Sequence, residues 1–318
     1  MNPFLNYLLS AIPLGMTFLF GCTGEILTEK SGHLNLGIPG IMCIGGASGC
    51  VALKMMYGSS VPPALIVIIA IIASFAGGIL MGLIYSFLTV TLKANQNVTG
   101  LAMTTFGVGA TKLIMNGMAT NATQYLFALK YFRFPFSNTT SSLKYWGVML
   151  YLAIIIALVA SFVLTRTRVG LHLRAVGENP ATADAVGINI TAYKYIATGI
   201  GSGIAALGGL FYIMDYSGSN ESYKSIEAFG WLAIALVIFT LWRPHLSIIG
   251  SIIFGALYLA GAYIPTLLGI KLDISATPLL QMLPYAVTII VLIVTSVRKK
   301  RENQPPASLG LSYFREER

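Results

Sequence analysis

The chain has 318 residues, of which 56% are hydrophobic and 10% charged, and its mean hydropathy is +0.77. A single soluble core cannot bury that much apolar surface, so the composition excludes an ordinary soluble enzyme or binding domain. The formal net charge of +9 does not indicate a nucleic-acid-binding surface, because the basic residues lie at the ends of apolar segments and in the tail. The composition therefore predicts an all-α polytopic membrane protein.

Apolar segments of spanning length recur along the chain. A transmembrane helix needs roughly 20 apolar residues, and this criterion predicts about nine helices, with eight to ten as the range. Glycines interrupt several segments, so we expect some helices to be broken or re-entrant. In chain order the predicted spans are 5–24, 34–56, 64–92, 98–118, 146–165, 195–214, 229–242, 246–268 and 278–297.

The segments between these spans are short, with two exceptions. Residues 119–145 are mixed polar and aromatic, which predicts an interfacial lid on the outer side rather than a crossing. Residues 170–189 form a long polar loop on the inner side. We predict a polar inner turn at 25–33 and an outer loop at 215–228, so that all eleven acidic residues lie in loops, at helix ends or in the tail.

The distribution of basic residues predicts the orientation. Most of the 20 lysines and arginines fall in segments on one side, and an excess of positive charge marks the cytoplasmic side of a membrane protein. We therefore expect an outside N-terminus and an inside C-terminus. The predicted organisation is one transmembrane domain at 1–297, with an inner loop at 166–194, and a basic cytoplasmic tail at 298–318.

The polar loop at 170–189 reads GLHLRAVGENPATADAVGIN. Pro180 suits the first turn of a helix, residues 181–185 can continue that helix, and Gly187 can end it. A short helix exposed between two spans is suited to docking. We therefore expect this loop to couple the membrane domain to a cytosolic motor.

Catalytic motifs are mostly missing from the sequence. It contains no G-x-x-x-x-G-K-[ST] motif, so an ATPase would have to be a separate subunit. Residues 46–49 match the G-x-S-G motif of intramembrane serine hydrolases. However, Ser48 needs a base within the membrane, and the histidines at 33, 172 and 245 all fall in inner loops. Close packing of small residues explains the tetrad better.

Two further sites can be considered from residue types. The three cysteines lie in apolar segments and predict neither a disulfide framework nor a metal site. An ion-coupled secondary carrier would be expected to place an acidic residue within a span. The predicted positions of the acidic residues weaken that alternative without excluding it, because carbonyls of broken helices can bind sodium.

Three blocks of sequence resemble one transporter family. GLHLRAVGENPATADAVGINITAYK and the following ATGIGSGIAALGGLFY resemble the cytoplasmic coupling loop and next span of ABC-importer permeases of the ribose/branched-chain-amino-acid type. The early GEILTEKSGHLNLGIPGIMCIGG is similar to the N-terminal signature of its nucleoside and simple-sugar branch. The block EAFGWLAIALVIFTLWRPHLSIIGSIIFGALYLAG is similar to the late segment of that branch. The resemblance covers most of the chain.

The resemblance implies a type II ABC-importer-like permease in a bacterial plasma membrane. Its expected partners are a cytosolic ABC ATPase, a second permease subunit (identical or paralogous) and an extracytoplasmic substrate-binding lipoprotein. This chain itself would bind no cofactor, since ATP and Mg would lie on the ATPase. By position in the motif, the residues expected to couple to the ATPase are Arg174, Glu178, Asn179, Pro180, Ala181, Ala183 and Gly187. Glu178 and Asn179 can equally be read as helix caps.

The substrate is the least determined feature. Nucleosides are the first expectation, with simple sugars or a flavin-like vitamin as alternatives, and Pro39 stands where the branch usually has Glu. A sugar or a base can be bound by uncharged polar groups near interrupted helices and by aromatic rings. Helix packing is the alternative interpretation for each of these residues. The candidates for the substrate pathway are Asn35, Tyr85, Asn97, Thr104, Thr105, Phe106 and Asn116.

Overall fold

The computed structural model describes residues 3–56, 60–118, 132–133, 145–269, 279–280, 282–298 and 304–314. Its elements are helical. Two α-helices continue as short π-helices, at Phe87–Thr91 and at Phe211–Ser217, and a 3₁₀ turn lies at Asn220–Ser225. The α-helices are α1 Pro3–Glu29, α2 Ile38–Met56, α3 Pro63–Ser86, α4 Gln96–Met118, α5 Val148–Arg166, α6 Arg168–Glu178, α7 Pro180–Ala185, α8 Ile190–Leu210, α9 Ile226–Phe239, α10 Pro244–Leu268 and α11 Leu283–Arg298.

Eight of the described helices are long and apolar enough to cross a membrane. They correspond to the first eight predicted spans. The ninth predicted span, 278–297, corresponds to α11, whose apolar part, Leu283–Val294, is shorter. The prediction of an all-α polytopic protein with eight to ten spans is confirmed.

Helices α1, α2 and α8 form the centre of the bundle, and close backbone contacts hold them together. A Cβ atom on Gly24 of α1 would overlap the carbonyl of Gly201 on α8, and the reverse is also true. A Cβ atom on Gly107 of α4 would lie 2.6 Å from Gly40 Cα on α2. The expected packing through small residues is therefore confirmed. By contrast, α3 and α5 expose large apolar side chains along their outer faces, as lipid-facing helices do.

Helix α1 is longer than the predicted first span. It continues to Glu29, so Glu25 and Glu29 are buried inside the helix rather than placed in an inner turn at 25–33. Glu25 Oε1 accepts a hydrogen bond from the Asn35 backbone N–H (3.0 Å), and Glu29 accepts one from the indole N–H of Trp242. The prediction was wrong because these partners, which make burial of the carboxyl groups tolerable, lie elsewhere in the chain.

Asp215 is also buried within a helix, in the π-helix that ends α8, and not in an open outer loop. Arg133 packs beside it, donating to the backbone oxygens of Asp215 (2.8 Å) and Tyr216 (2.9 Å). The expectation that all acidic residues lie in loops or at helix ends was therefore wrong for Glu25 and Asp215. The positions of the acidic residues therefore no longer argue against an ion-coupled carrier.

The polar segment 170–189 is mostly helical. The predicted short helix is confirmed as α7, but α6 before it was not predicted, and α8 begins at Ile190 rather than at 195. Helix α6 was not predicted because it contains two glycines, Gly170 and Gly177, and glycine has a low helix propensity. In the fold, both allow close contact: a Cβ atom on Gly170 would overlap the Val163 carbonyl, and one on Gly177 would overlap the Lys30 carbonyl.

Several predictions fall outside the described residues. Of the predicted lid at 119–145, the structure describes Phe132, Arg133 and Tyr145, and the rest of the lid lies outside the described residues. The basic cluster at 299–301 of the predicted tail also lies outside the described residues, whereas residues 304–314 of the same tail are described.

Candidate functional site

The predicted inner segments come together on one face of the molecule, which we call the α6–α7 face. It comprises the turn 30–37, residues 93–95, α6, α7 and the C-terminal residues 304–314. Backbone hydrogen bonds connect the parts: Gly310 N–H donates to Gly32 O (3.2 Å), and Ser308 N–H donates to Gly177 O (3.0 Å). Gln96 Nε2 at the start of α4 donates to Leu311 O (3.3 Å). Segments far apart in sequence thus form one continuous surface.

Local capping interactions determine where α6 and α7 begin. Thr167 Oγ1 accepts from Gly170 N–H (3.1 Å) at the start of α6. Asn179 Oδ1 accepts from Thr182 N–H (3.0 Å) at the start of α7, and Pro180 occupies its first position. Gly187 follows α7 with φ +82°, a conformation that glycine adopts without strain. Asn179 is therefore a helix cap. Glu178 is exposed and ends α6.

Helix α7 has a buried side and an exposed side. Ala183 is only 2% exposed and packs with Val176 of α6 and Ile190 of α8. Ala183 consequently anchors the helix and is not available as a contact surface, which corrects its predicted role. The exposed residues between positions 174 and 187 are Arg174, Glu178, Asn179, Ala181, Thr182, Ala185, Val186 and Gly187.

The C-terminal residues 304–314 cross the α6–α7 face, and we call them the C-terminal strap. Ser308 Oγ donates to Gly177 O (2.5 Å), and Tyr313 OH donates to Asp184 Oδ2 on α7 (3.0 Å). Lys93 Nζ lies 4.2 Å from the centroid of the Phe314 ring, within cation–π range. Sequence reasoning treated this region only as a basic tail. The signal it missed is the group of apolar and aromatic residues Leu309, Leu311, Tyr313 and Phe314, which follows the charged start of the tail.

A cavity of about 470 Å³ opens on this face between α5, α6 and the start of α10. It is basic, since Lys30, Arg174 and Arg243 line it together with the single carboxylate of Glu178. Burial lowers the pKa of Lys30, and the nearby Glu178 carboxylate partly opposes that shift. The face as a whole therefore presents positive charge beside α7.

The turn between α1 and α2 is held by a buried polar network. Asn35 Oδ1 accepts from Gly37 N–H (2.9 Å), Tyr85 OH donates to Leu34 O (2.6 Å), and His33 Nδ1 is hydrogen-bonded to Thr198 Oγ1 (3.1 Å). Burial, and secondarily the charge of Lys194, holds the pKa of His33 well below its usual value. Asn35 and Tyr85 thus stabilise this turn, and neither side chain is exposed to a pathway.

The remaining pathway candidates lie on α4 and divide into two sets. Thr104 is buried and donates to Leu36 O (2.7 Å), so it fixes α4 against the same turn. Asn97, Thr105 and Asn116 lie along the exposed face of α4, with Phe106 beside them. Asn116 Oδ1 accepts from Tyr223 OH (2.9 Å) at the far end of that face. The structure therefore separates the seven candidates instead of gathering them in one pocket.

The exposed face of α4 is unusual for a membrane-spanning helix. Positions 97, 105, 112 and 116 follow helical spacing and carry Asn, Thr, Lys and Asn, which we call the α4 polar stripe. Exposed positions of α5, by comparison, carry side chains such as Ile155, Val159 and Phe162. Thr105 Oγ1 donates to Leu101 O within the helix (3.1 Å), and Asn116 Oδ1 accepts from Tyr223 OH. The remaining amide groups and the Lys112 ammonium group are unfavourable in hydrocarbon, which favours contact of this stripe with water or another protein surface.

Among the described residues, the Ser48 hydroxyl is hydrogen-bonded to backbone carbonyls and not to a side chain that could act as a base. The hydroxyl donates to Ile44 O one turn back (2.8 Å). Each of the three histidines is hydrogen-bonded elsewhere: His33 to Thr198, His172 to Tyr193 and His245 to Ser161. The arrangement gives no support to a serine hydrolase.

Comparison with known proteins identifies the family. The family described as "branched-chain amino acid transport system / permease component" matches residues 5–292. The chain belongs to this permease family. The permease is a multi-pass protein of a bacterial plasma membrane, and its relatives are permease subunits of transporters.

Three relatives illustrate the range of substrates named in the family. The permease is 33% identical over 312 residues to the nucleoside ABC transporter permease protein NupC of Lactococcus lactis subsp. cremoris, covering 90% of each chain. It is 28% identical over 264 residues to the putative glucose ABC transporter permease protein TsgC13 of Haloferax volcanii, covering 78% of the permease and 74% of the relative. It is 28% identical over 295 residues to the guanosine ABC transporter permease protein NupQ of Bacillus subtilis, covering 90% and 89%.

Proposed function

We propose that this permease is the pore-forming subunit of an ATP-driven, binding-protein-dependent importer of nucleosides. The observation that carries the proposal is α7, a separately capped six-residue helix on a face built from several of the predicted inner segments. Membership of an ABC permease family and the nucleoside relatives support the same function. In this proposal the α6–α7 face lies in the cytoplasm, with the N-terminus outside.

Helix α7 would dock on a cytosolic ATPase, which binds the ATP and Mg. Pro180 and Asn179 fix where the helix begins, and Gly187 lets the chain leave it. Arg174, Glu178 and Ala181 supply exposed contacts on its flanks, while Ala183 transmits movement because it is packed against α6 and α8. Movement of the ATPase would therefore shift α6, α7 and the inner end of α8 together.

The α4 polar stripe would line the translocation pathway. A second permease subunit, identical or paralogous, would face it and exclude lipid, which accounts for polar residues at exposed positions. Asn97, Thr105 and Asn116 can hydrogen-bond to ribose or base, and the Phe106 ring, 59% exposed, can stack on a base. Asn35, Tyr85 and Thr104 would support this helix from behind. An extracytoplasmic binding lipoprotein would deliver the substrate.

The docking role of α7 can be tested in the complex of permease, ATPase and binding protein reconstituted in vesicles. We expect Ala181→Arg to abolish substrate-stimulated ATP hydrolysis because the long charged side chain separates α7 from the ATPase, with membrane insertion retained. Ala181→Ser is the matched control and should keep stimulation near the wild-type level. Stimulation that survives Ala181→Arg would contradict the docking role.

The substrate class is tested in the same vesicles by uptake of labelled guanosine, in competition with unlabelled cytidine, glucose and riboflavin. We expect competition by the nucleoside alone. Uptake of labelled glucose without uptake of labelled guanosine would favour a sugar importer, which the relative TsgC13 makes the second candidate. Uptake by the permease alone under a proton or sodium gradient would instead indicate an ion-coupled carrier.

A further inference from the structure

A second cavity on the α6–α7 face, of about 450 Å³, lies beside α7, and the proposed function assigns it no ligand. It lies between the inner end of α3, the segment joining α7 to α8, and the C-terminal strap. Lys93, Lys194, Ile190, Thr191 and Tyr313 are among the residues that line it. We propose that this cavity binds a phosphate-type oxyanion, carried either by the headgroup of an anionic phospholipid or by a soluble phosphate ester.

The main observation is an unpaired lysine. Lys194 is 3% exposed and lines the cavity. In the part of the chain that the structure describes, its ammonium group makes neither a hydrogen bond nor a salt bridge, and the one salt bridge found there joins Lys224 to Glu221. The side chain lies almost wholly inside the protein, whereas its ammonium group remains in contact with the cavity. A largely desolvated ammonium group without a partner is unfavourable. A bound anion in the cavity would supply that partner.

The position of Lys194 near the N-terminus of α8 adds to the local positive potential, which makes binding of an anion more favourable. Lys194 lies in the second turn of α8, near the helix N-terminus, where the helix dipole already favours negative charge. The cap residue Asn189 accepts from Ala192 N–H (3.0 Å), which leaves the backbone N–H groups of Ile190 and Thr191 for another acceptor. Both residues line the cavity. An ammonium group and free N–H groups that converge at a helix start are typical of phosphate recognition.

Charge and location also favour a phosphate-type group. Lys93 adds a second positive charge at the opposite wall of the cavity. The one acidic residue lining the cavity, Asp184, accepts from Tyr313 OH (3.0 Å). The cavity is lined in part by Thr89 and Val90 of the π-helix that follows α3, a segment in which Phe87 is exposed. A headgroup could therefore enter from the membrane while its acyl chains remain in the bilayer, and a soluble phosphate ester could enter from the aqueous side.

The experiment measures thermal unfolding of the purified full-length permease in an uncharged detergent. Lys194→Gln removes the buried charge, and Lys54→Gln is the matched control, since it makes the same change at an exposed lysine outside this cavity. The probes are phosphatidylglycerol, phosphatidylcholine and adenosine monophosphate, each added separately. Native mass spectrometry of the same samples counts the phosphate-containing molecules retained per chain.

We expect an anionic probe to raise the unfolding temperature of the wild type and of Lys54→Gln by roughly 3 °C, and that of Lys194→Gln by less than about 1 °C. Without any probe, Lys194→Gln should unfold at a temperature equal to or above that of the wild type, because the unpaired charge is gone. A response to phosphatidylglycerol alone identifies a lipid headgroup as the source, whereas a response to adenosine monophosphate identifies a soluble phosphate ester.

Two results would overturn the proposal: no response of the wild type to either anionic probe, or an equal response of the wild type and Lys194→Gln. If Lys194→Gln does not fold, Lys93→Gln takes its place. Lys93 is exposed, so its replacement leaves folding intact, and it should weaken retention of the anionic probe at least about threefold by removing one of two cations. Unchanged retention by Lys93→Gln would then count against the site.

Discussion

Helix α7 should be held in place by a few specific anchors, and their removal should release it locally. A helix of six residues is far below the roughly 12–15 residues needed for stability in water. Its anchors are the Asn179 cap, the buried Ala183 and the hydrogen bond from Tyr313 OH to Asp184. We expect Asn179→Ala and Tyr313→Phe each to increase local opening of residues 180–187 while leaving the membrane helices folded.

The size of the effect follows from the two hydrogen bonds. Loss of an Asn cap costs about 1 kcal/mol, which corresponds to about fivefold faster amide exchange if exchange follows local opening. Loss of the Tyr313 hydrogen bond to a carboxylate costs about 1.5 kcal/mol, or about thirteenfold. If the two contributions add, the double variant should exchange roughly 70-fold faster.

The assay is hydrogen–deuterium exchange of the purified permease, followed by mass spectrometry of peptides that cover 168–194. Asn95→Ala is the matched control, because Asn95 Oδ1 caps α4 in the same way, accepting from Val98 N–H three residues on (3.1 Å). It should leave exchange at 180–187 unchanged. Unaltered exchange at 180–187 in both Asn179→Ala and Tyr313→Phe would refute the anchoring mechanism.

Three further predictions concern other parts of the fold. Deletion of residues 304–318 removes the strap, so exchange across α6 and α7 should rise about tenfold or more with insertion intact; unchanged exchange would show that the strap does not hold α6 and α7. Gly107→Val should cost about 2–3 kcal/mol in detergent unfolding because its Cβ meets the Gly40 backbone, whereas Gly109→Val, with nothing within 4 Å, should be nearly neutral; equal effects would contradict the packing. The pKa of His33 is lowered in the fold, so His33 stays neutral there, whereas in the unfolded state it binds a proton below its usual pKa of about 6.5. As the pH is lowered below about 6.5, the free energy of unfolding should therefore decrease by up to about 1.4 kcal/mol per pH unit. Unfolding temperatures from pH 7.5 to 5 should decline less for His33→Asn, and identical declines would argue against this assignment.

Local signals in the sequence predicted much of the fold. The lengths of apolar segments identified the spans because a membrane-crossing helix must be long and apolar whatever surrounds it. The Asn-Pro start and the glycine end of α7 were also predictable, since capping involves only neighbouring residues. The three sequence blocks that resemble ABC-importer permeases likewise identified the permease family, which the match over residues 5–292 confirms.

The site was less predictable, because the role of a side chain depends on which way it faces. The same alanine-rich helix presents Ala181 outward and buries Ala183, a difference that the sequence of α7 alone did not reveal. On α4, adjacent Thr104 and Thr105 face opposite environments, one buried against α2 and the other exposed. Whether a candidate lines a pathway or supports a turn is decided by the neighbouring helices.

By itself, then, the sequence determined the membrane spans, the capped helix α7 and the transporter family. Only the tertiary structure decided that Glu29 is buried beneath Trp242, 213 positions away, and that Tyr313 reaches Asp184, 129 positions away. Only the structure placed Lys194 beside a cavity that Ser312 and Tyr313 of the C-terminal strap help to line. The physical reason is the same in each case: the free energy of a buried charge depends on its partners, and these partners are brought close only when the chain folds.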